Sequence, residues 1–308
     1  MTEKNIYKPQ LKTATQQTIQ KPKKDNAKRI LVVGDFVASA VASELKKLSA
    51  DNVNLIIIDN TVPASGLVRT DYYSWNDNIV HLIQKNNPDV IIIIIGANDN
   101  QPLTTSDEIL NPSQPEWINI YKQRVIKMTE NLDNSGKPWI WVGQPVFKSQ
   151  NLTQKMKILN ELYENVTKAA RGRFVDIWRG FTDQQGQFSF SDDSANGKTI
   201  QLRTSDGTNF TSQGKRKLIL YLEKPLETIL NFDIFSHNNT SFTTLNISKS
   251  IQKQYSTKRQ SPISLDEMAK QNTHLLYTID QSLIPQPRNY KNNAPMNRAD
   301  NFSLPQHF

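Results

Sequence analysis

Blocks of apolar positions, set at alternating helical and strand-like spacing, run through the chain from about residue 29 to residue 232. Residues 30–33 (ILVV) form a short apolar run ending in Gly34-Asp35, which reads as a buried strand closed by a turn. Val37, Val41, Leu45 and Leu48 follow at helical spacing. Residues 53–58 (VNLIII) predict a second strand, and a long loop fills 59–73. Residues 75–87 predict a helix with Ile79, Leu82 and Ile83 on one face. Residues 89–95 are apolar almost throughout, as expected of a strand covered on both faces. Further along come a helix over 116–132 stopped at Asn134-Ser135-Gly136, a strand over 138–142 (PWIWV), a helix over 152–170 and a strand over 173–177 (RFVDI). Residues 180–202 are polar and predict an excursion or small hairpin. The pattern ends in a helix over 212–230 with Pro225 as an expected kink or break.

Five strands alternating with helices imply a parallel sheet with helices on both faces, a three-layer α/β/α flavodoxin-like domain over 29–232. Ligands of such sheets bind beyond the carboxyl ends of the strands. Asp35-Phe36, Ser65-Gly66, residues 96–99 (GAND), Gln144-Pro145 and Asp206 all fall in loops on that edge. Outside this block the periodicity is lost. Residues 1–28 are rich in Lys, Gln and Thr, and 233–308 in Asn, Ser, Thr and Gln with five prolines, so both predict disorder, with 265–276 able to form one short helix.

Charge sharpens this division. Residues 1–28 carry seven Lys against two acids and residues 233–308 eight Lys/Arg against five, while 29–232 balances 22 against 22. All of the net charge of +8 therefore sits in the two ends. Such ends either solubilise the chain or draw it to an anionic surface. The balanced middle has no basic stripe or aromatic RNA motif, so no nucleic acid is expected as a partner. The 308 residues contain no cysteine, which excludes disulfides, thiolate catalysis and Cys-ligated metal. No His/Asp/Glu cluster has metal-ligand spacing, and no cofactor motif is present; GDFVAS lacks the glycine spacing and lysine of a phosphate loop. The longest apolar run, 90–95 (VIIIII), is far short of a membrane span of ~20 residues. The N-terminus has no apolar signal core, so the literal expectation is cytoplasmic. A start codon hiding an upstream anchor or export signal is the alternative.

Four blocks carry a family likeness: GDF at 34–36, a loop glycine at 66, GAND at 96–99 and DGTN at 206–209. In this order they resemble the four blocks of the SGNH (GDSL-type) hydrolases. The strings SGLVRTDYYSW (65–75), IIGANDNQP (94–102), EWINIYKQRV (116–125), WIWVGQP (139–145) and FVDIW (174–178) are similar to the bacterial branch of uncharacterised, often exported members. The resemblance covers about 29–224. It implies a nucleophilic serine at the turn after the first strand, a late histidine as base, and an aspartate three residues earlier to orient it. It also implies an oxyanion hole built from the nucleophile's N–H, the loop glycine N–H and an asparagine side chain.

Carried over by position, Gly66 and Asn98 match the oxyanion donors and Asp206 the orienting aspartate. Phe36 stands at the nucleophile position and Asn209 at the base position. Neither can do that chemistry: phenylalanine has no nucleophile, and an amide takes no proton near neutral pH. Ser39, one turn farther into the helix, and His81, within the helix over 75–87, are poor substitutes. Losing nucleophile or base costs on the order of a million-fold in turnover. The reading is therefore an SGNH-like pseudo-esterase that retains a pocket rim for binding, with an acylated cell-envelope glycan or small ester as ligand. An active ester hydrolase or acetyl transferase with a displaced nucleophile, and a folded relic, are the alternatives. Arg69, Asp71, Tyr72 and Tyr73 after the second strand form either a carbohydrate or anion subsite or a loop pinned by an Arg–Asp pair. Asp99 is expected to hydrogen-bond its loop, Asp35 to serve its turn, and Arg203 to pair with Asp206.

Overall fold

The computed structural model describes residues 22–193, 199–232 and 234. Its centre is a sheet of five parallel strands: β1 (Lys28–Gly34), β2 (Leu55–Thr61), β3 (Val90–Ile94), β6 (Trp139–Val142) and β7 (Arg173–Val175), in the order β2-β1-β3-β6-β7. The helices are α1 (Phe36–Leu48), α2 (Trp75–Asn86), α3 (Pro115–Asn134), α4 (Gln150–Ala169) and α5 (Ser212–Leu230). α1 packs with α5, while α3 packs with both α2 and α4. With right-handed crossovers, this puts α1 and α5 on one face and the other three on the opposite face. The chain reverses direction between β1 and β3, so the switch point opens where those two strands end.

Each element has a local cause. All five residues of β3 are buried, as the apolar run requires of a strand with neighbours on both edges and helices on both faces. Fully burying one such isoleucine is worth ~1.5–3 kcal/mol. Asp35 caps α1 by accepting from Val37 N, and Thr211 caps α5 by accepting from Gly214 N. Asn87 and Asn231 end α2 and α5 in the left-handed region, at φ 41° and 57°. The core is continuous and holds four large rings from α3, β6 and α4. Trp117 stacks on Tyr121 at 4.8 Å, and Trp141 lies 4.8 Å from Tyr163.

Several boundaries differ from expectation. The second strand lies at 55–61 rather than 53–58, because Asp59, Asn60 and Thr61 pair with Val32, Val33 and Gly34 of β1. Two hairpins stand beside the sheet. β4 (Leu103–Thr104) pairs with β5 (Ile109–Leu110), which the polar sequence did not signal, and β8 (Ser191–Asp193) pairs with β9 (Thr199–Gln201) in the expected excursion. α5 runs unbroken through Pro225.

The folded unit also extends beyond 29–232. Lys23 Nζ donates to the carbonyls of Ser49, Ala50 and Asn52 just past α1, where a cation satisfies the negative end of a helix. At the other end the Ile234 carbonyl accepts from Asn52. The rest of the two basic ends, 1–21 and 235–308, lies outside the described residues. Among the described residues, no helix is long and apolar enough to cross a membrane.

Candidate functional site

The carboxyl edge of the sheet gathers four loops. After β1, Gly34 takes φ +133°, and a Cβ there would come within 1.8 Å of the Ile94 carbonyl oxygen, so only glycine fits. That close approach lets Asp35 N donate to Ile94 O at 2.9 Å and turns the Asp35 side chain inward. Asp35 is fully buried, and its carboxylate gathers three donors. Oδ1 accepts from Val37 N (2.9 Å), and Oδ2 accepts from Ala97 N (2.9 Å) and from the Gln144 side chain (2.9 Å). Burial pushes its pKa up to about 7, against the pull of these bonds, and the nearby Asp99 adds to the rise. Asp35 thus does more than serve its turn: it joins the loops after β1, β3 and β6.

In the loop after β3, Asp99 acts in a similar way. It is buried and accepts from Leu67 N, Val68 N and the Tyr121 hydroxyl at 2.8–2.9 Å, which is the loop-holding role expected of it. Gly66 lies against it. A Cβ at Gly66 would sit 2.0 Å from Asp99 Oδ1, so the position admits only glycine. The Asn98 amide also faces this loop, donating to Pro63 O (2.9 Å) and Ser65 O (2.8 Å). Both of its hydrogens are engaged, and the reverse orientation would set its oxygen against two carbonyls. The backbone N–H groups of Phe36 and Gly66 have no acceptor among the described residues.

The Phe36 ring is half-buried and meets Phe147 edge-on, with centroids 6.2 Å apart. Across the edge, Asp206 accepts from the backbone N–H of Thr208 and Asn209, the Thr204 hydroxyl and the Asn209 amide, the last at 2.8 Å. These bonds, led by that from Thr208 N–H, hold its carboxyl far below the usual range. Both Asp206 and Asn209 are exposed at the rim. Their loop rests on the one after β6: Lys148 N donates to Gly207 O at 3.3 Å, and Arg203 bonds both Thr208 O and Val146 O.

Arg203 does not hydrogen-bond Asp206 as expected. It is fully buried, with its guanidinium 4.0 Å from the Phe210 ring centroid and 5.0–5.8 Å from those of Phe181, Phe147 and Phe188. Its partners are carbonyls and π faces, and burial lowers its pKa to about 9. Little in the sequence signals this, because four phenylalanines scattered over 147–210 converge only in three dimensions.

The loop at 69–73 carries an exposed Arg–Asp pair. Arg69 and Asp71 bond each other through two contacts of 2.8 and 2.7 Å, which holds the Asp71 pKa down at about 2. Tyr73 packs edge-on against Trp75 at 4.7 Å, and Trp75 Nε1 donates to Ser65 Oγ. Tyr72 points outward, 57% exposed. His81 is exposed on α2, and Ser39 lies one turn inside α1. Neither is hydrogen-bonded by its side chain to a member of this constellation among the described residues. No group of three or more His, Asp or Glu among the described residues is placed to hold a metal ion.

Residues 29–225, more than half the chain, match the family described as "Protein of unknown function (DUF459)". The chain belongs to the DUF459 family. Among solved structures, this DUF459 protein is similar to a proposed acylhydrolase from Bacteroides fragilis, with TM-score 0.50 and 14% identity over 69% of this chain and 92% of that one. It is also similar to a GDSL-like lipase from Bacteroides thetaiotaomicron (TM-score 0.48, 15% identity, 65% and 88% covered). A third is a catalytic mutant of an acetylxylan esterase from Geobacillus stearothermophilus (TM-score 0.46, 13% identity, 70% and 98% covered). At such identities the likeness concerns the fold alone, a five-stranded parallel sheet with helices on both faces. Among curated proteins, none matches it.

Proposed function

We propose that this DUF459 protein keeps the SGNH scaffold without its ester-cleaving chemistry, and binds an acylated glycan or small ester at the carboxyl edge of its sheet. The observation that carries this reading is the bond from the Asn209 amide to Asp206 at 2.8 Å. An aspartate that would orient an imidazole instead orients an amide, which accepts no proton near neutral pH. Two further features agree. Phe36, at the nucleophile position, packs on Phe147 and offers no attacking atom. Asn98, at the position of an oxyanion donor, has both amide hydrogens on loop carbonyls. What remains for a ligand is a rim of exposed Tyr72, Asp206 and Asn209, with the backbone N–H groups of Phe36 and Gly66 as donors.

The test is hydrolysis of p-nitrophenyl acetate by the unmodified chain, by Phe36→Ser with Asn209→His, and by Ser39→Ala. The unmodified chain is expected to match the uncatalysed rate. The double variant is expected to gain on the order of 100-fold or more over it, since a general base alone contributes about that much. Turnover by the unmodified chain that disappears in Ser39→Ala would overturn the reading and put the nucleophile one turn inside α1. Binding is read separately, as shifts of the Tyr72 ring resonances on titrating an O-acetylated oligosaccharide. No shift at millimolar ligand would remove the binding half of the proposal.

A further inference from the structure

Asp35 and Gln144 are both fully buried, and they share an asymmetry. The Gln144 amide nitrogen donates to Asp35 Oδ2, while its oxygen Oε1 is buried with no partner. A buried acceptor left unpaired costs about 1–3 kcal/mol, so it is a feature needing a reason. The reason lies in the chemistry of the pair. A carboxylate has only acceptors to offer Gln144, whereas a carboxylic acid has an O–H donor that an amide oxygen can accept.

We infer that Asp35 and Gln144 form a proton-linked latch across the loops after β1, β3 and β6, in which the Gln144 side chain turns over as Asp35 gains or loses its proton. With Asp35 ionised, Val37 N, Ala97 N and the Gln144 amide nitrogen all donate to it, the arrangement seen in this structure. With Asp35 neutral, its hydroxyl donates to Gln144 Oε1, and the amide group rotates about its terminal bond. No bond between heavy atoms changes; one proton moves between Asp35 and solvent. Hydrogen bonds to a charged acceptor are roughly twice as strong as neutral ones, but burying the charge costs more than they return, so ionisation strengthens these three bonds while lowering the stability of the fold around them.

The groups facing this pair are few. Asp99 comes from the loop after β3 and the Tyr163 hydroxyl from α4, and both act on Asp35 or feel its charge. Tyr163 is hydrogen-bonded to Tyr121, and Tyr121 to Asp99, so one buried chain joins the two carboxyls' surroundings. Arg124 of α3 and Lys155 of α4 face Asp99 rather than Asp35. The Glu44–Arg216 pair lies nine residues farther along α1, roughly 13 Å away at 1.5 Å per residue. Burial moves the Asp35 titration to about pH 7, which places the turnover within an ordinary pH range.

The latch is independent of whether the site carries out chemistry. Its test is NMR of the full chain between pH 5 and 9, following the Gln144 side-chain amide and the Asp35 carboxyl carbon. Both are expected to titrate together with a midpoint of about 7. The Gln144 titration is expected to vanish in Asp35→Asn. In Gln144→Leu, which removes a donor to the ionised form, the Asp35 midpoint is expected to rise. A Gln144 amide that stays flat over the range, one that titrates unchanged in Asp35→Asn, or an Asp35 midpoint unmoved by Gln144→Leu would each overturn the latch. If Asp35→Asn does not fold, the Gln144→Leu midpoint and the flatness of the unmodified amide still decide it.

Discussion

Asp99 takes its hydrogen bonds from Leu67 N, Val68 N and Tyr121, so the loop after β2 is held by an acceptor from the loop after β3. Gly66 is the residue that lets this approach happen. Gly66→Ala would drive its Cβ into a carboxylate that cannot retreat without giving up both backbone donors. We expect a loss of roughly 2–4 kcal/mol, from overpacking together with unpaired buried N–H groups. Urea unfolding measures it, and a loss below ~1 kcal/mol would mean that Asp99 swings clear. At the same scale, GDFVAS shows what can be read from a string and what cannot. An aspartate inside an otherwise apolar stretch was visible, and its helix-capping turn followed from that. That it also binds Ala97 N and Gln144 was not, because those partners are 62 and 109 residues away.

α5 tolerates Pro225 in its interior, where the missing N–H and the ring both work against the helix. Leu222, Leu226 and Leu230 are buried on the face of α5 that carries its core contacts, and this burial holds the helix together across the proline. Pro225→Ala should therefore stabilise the chain by about 1–2 kcal/mol. That is the ~3 kcal/mol helix penalty reduced by the entropy that alanine restores to the unfolded chain and by partial relaxation around the ring. The readout is the urea midpoint, and a lower midpoint in the variant would show that the ring packs usefully. The five sheet strands and five helices were legible because the strands carry short apolar runs and the helices bury one apolar face at helical spacing. The β4–β5 hairpin escaped because its strands are two residues long, too short for a period to develop. The strand break expected at Asp59 failed for the opposite reason. Pairing with β1 carries the ladder past the apolar run, and Lys46 and Thr61 bond the Asp59 carboxylate in place.

Across the whole molecule, the buried carboxyls set how stability follows pH. Asp35 titrates at about 7 in the folded state against 3.8 for an ordinary aspartate, and burial raises Asp99 as well. For a carboxyl raised on folding, the contribution is fully present below pH ~4 and is lost as pH climbs to the folded value. Exposed Asp71 and Asp206 have lowered values, so their contributions are lost only as pH falls below about 4. Between pH 4 and 7 the raised carboxyls therefore dominate, and stability should fall with rising pH by up to ~1.4 kcal/mol per unit from Asp35 alone. Asp35→Asn should flatten that slope in a series of thermal melts; an equal slope in the variant would assign it to another group. β3 has a different bearing on how the molecule comes into being. It is the middle strand, and one of its two partners, β6, begins 45 residues after Ile94. While the chain is being made, at about 5–20 residues per second, a run of isoleucines waits for several seconds with one edge open. Such a segment, rich in β-branched residues and free of charge and proline, is the kind that pairs with its own copy on a neighbouring nascent chain. The stretch that anchors the finished sheet is thus also where crowded synthesis would first turn to aggregates.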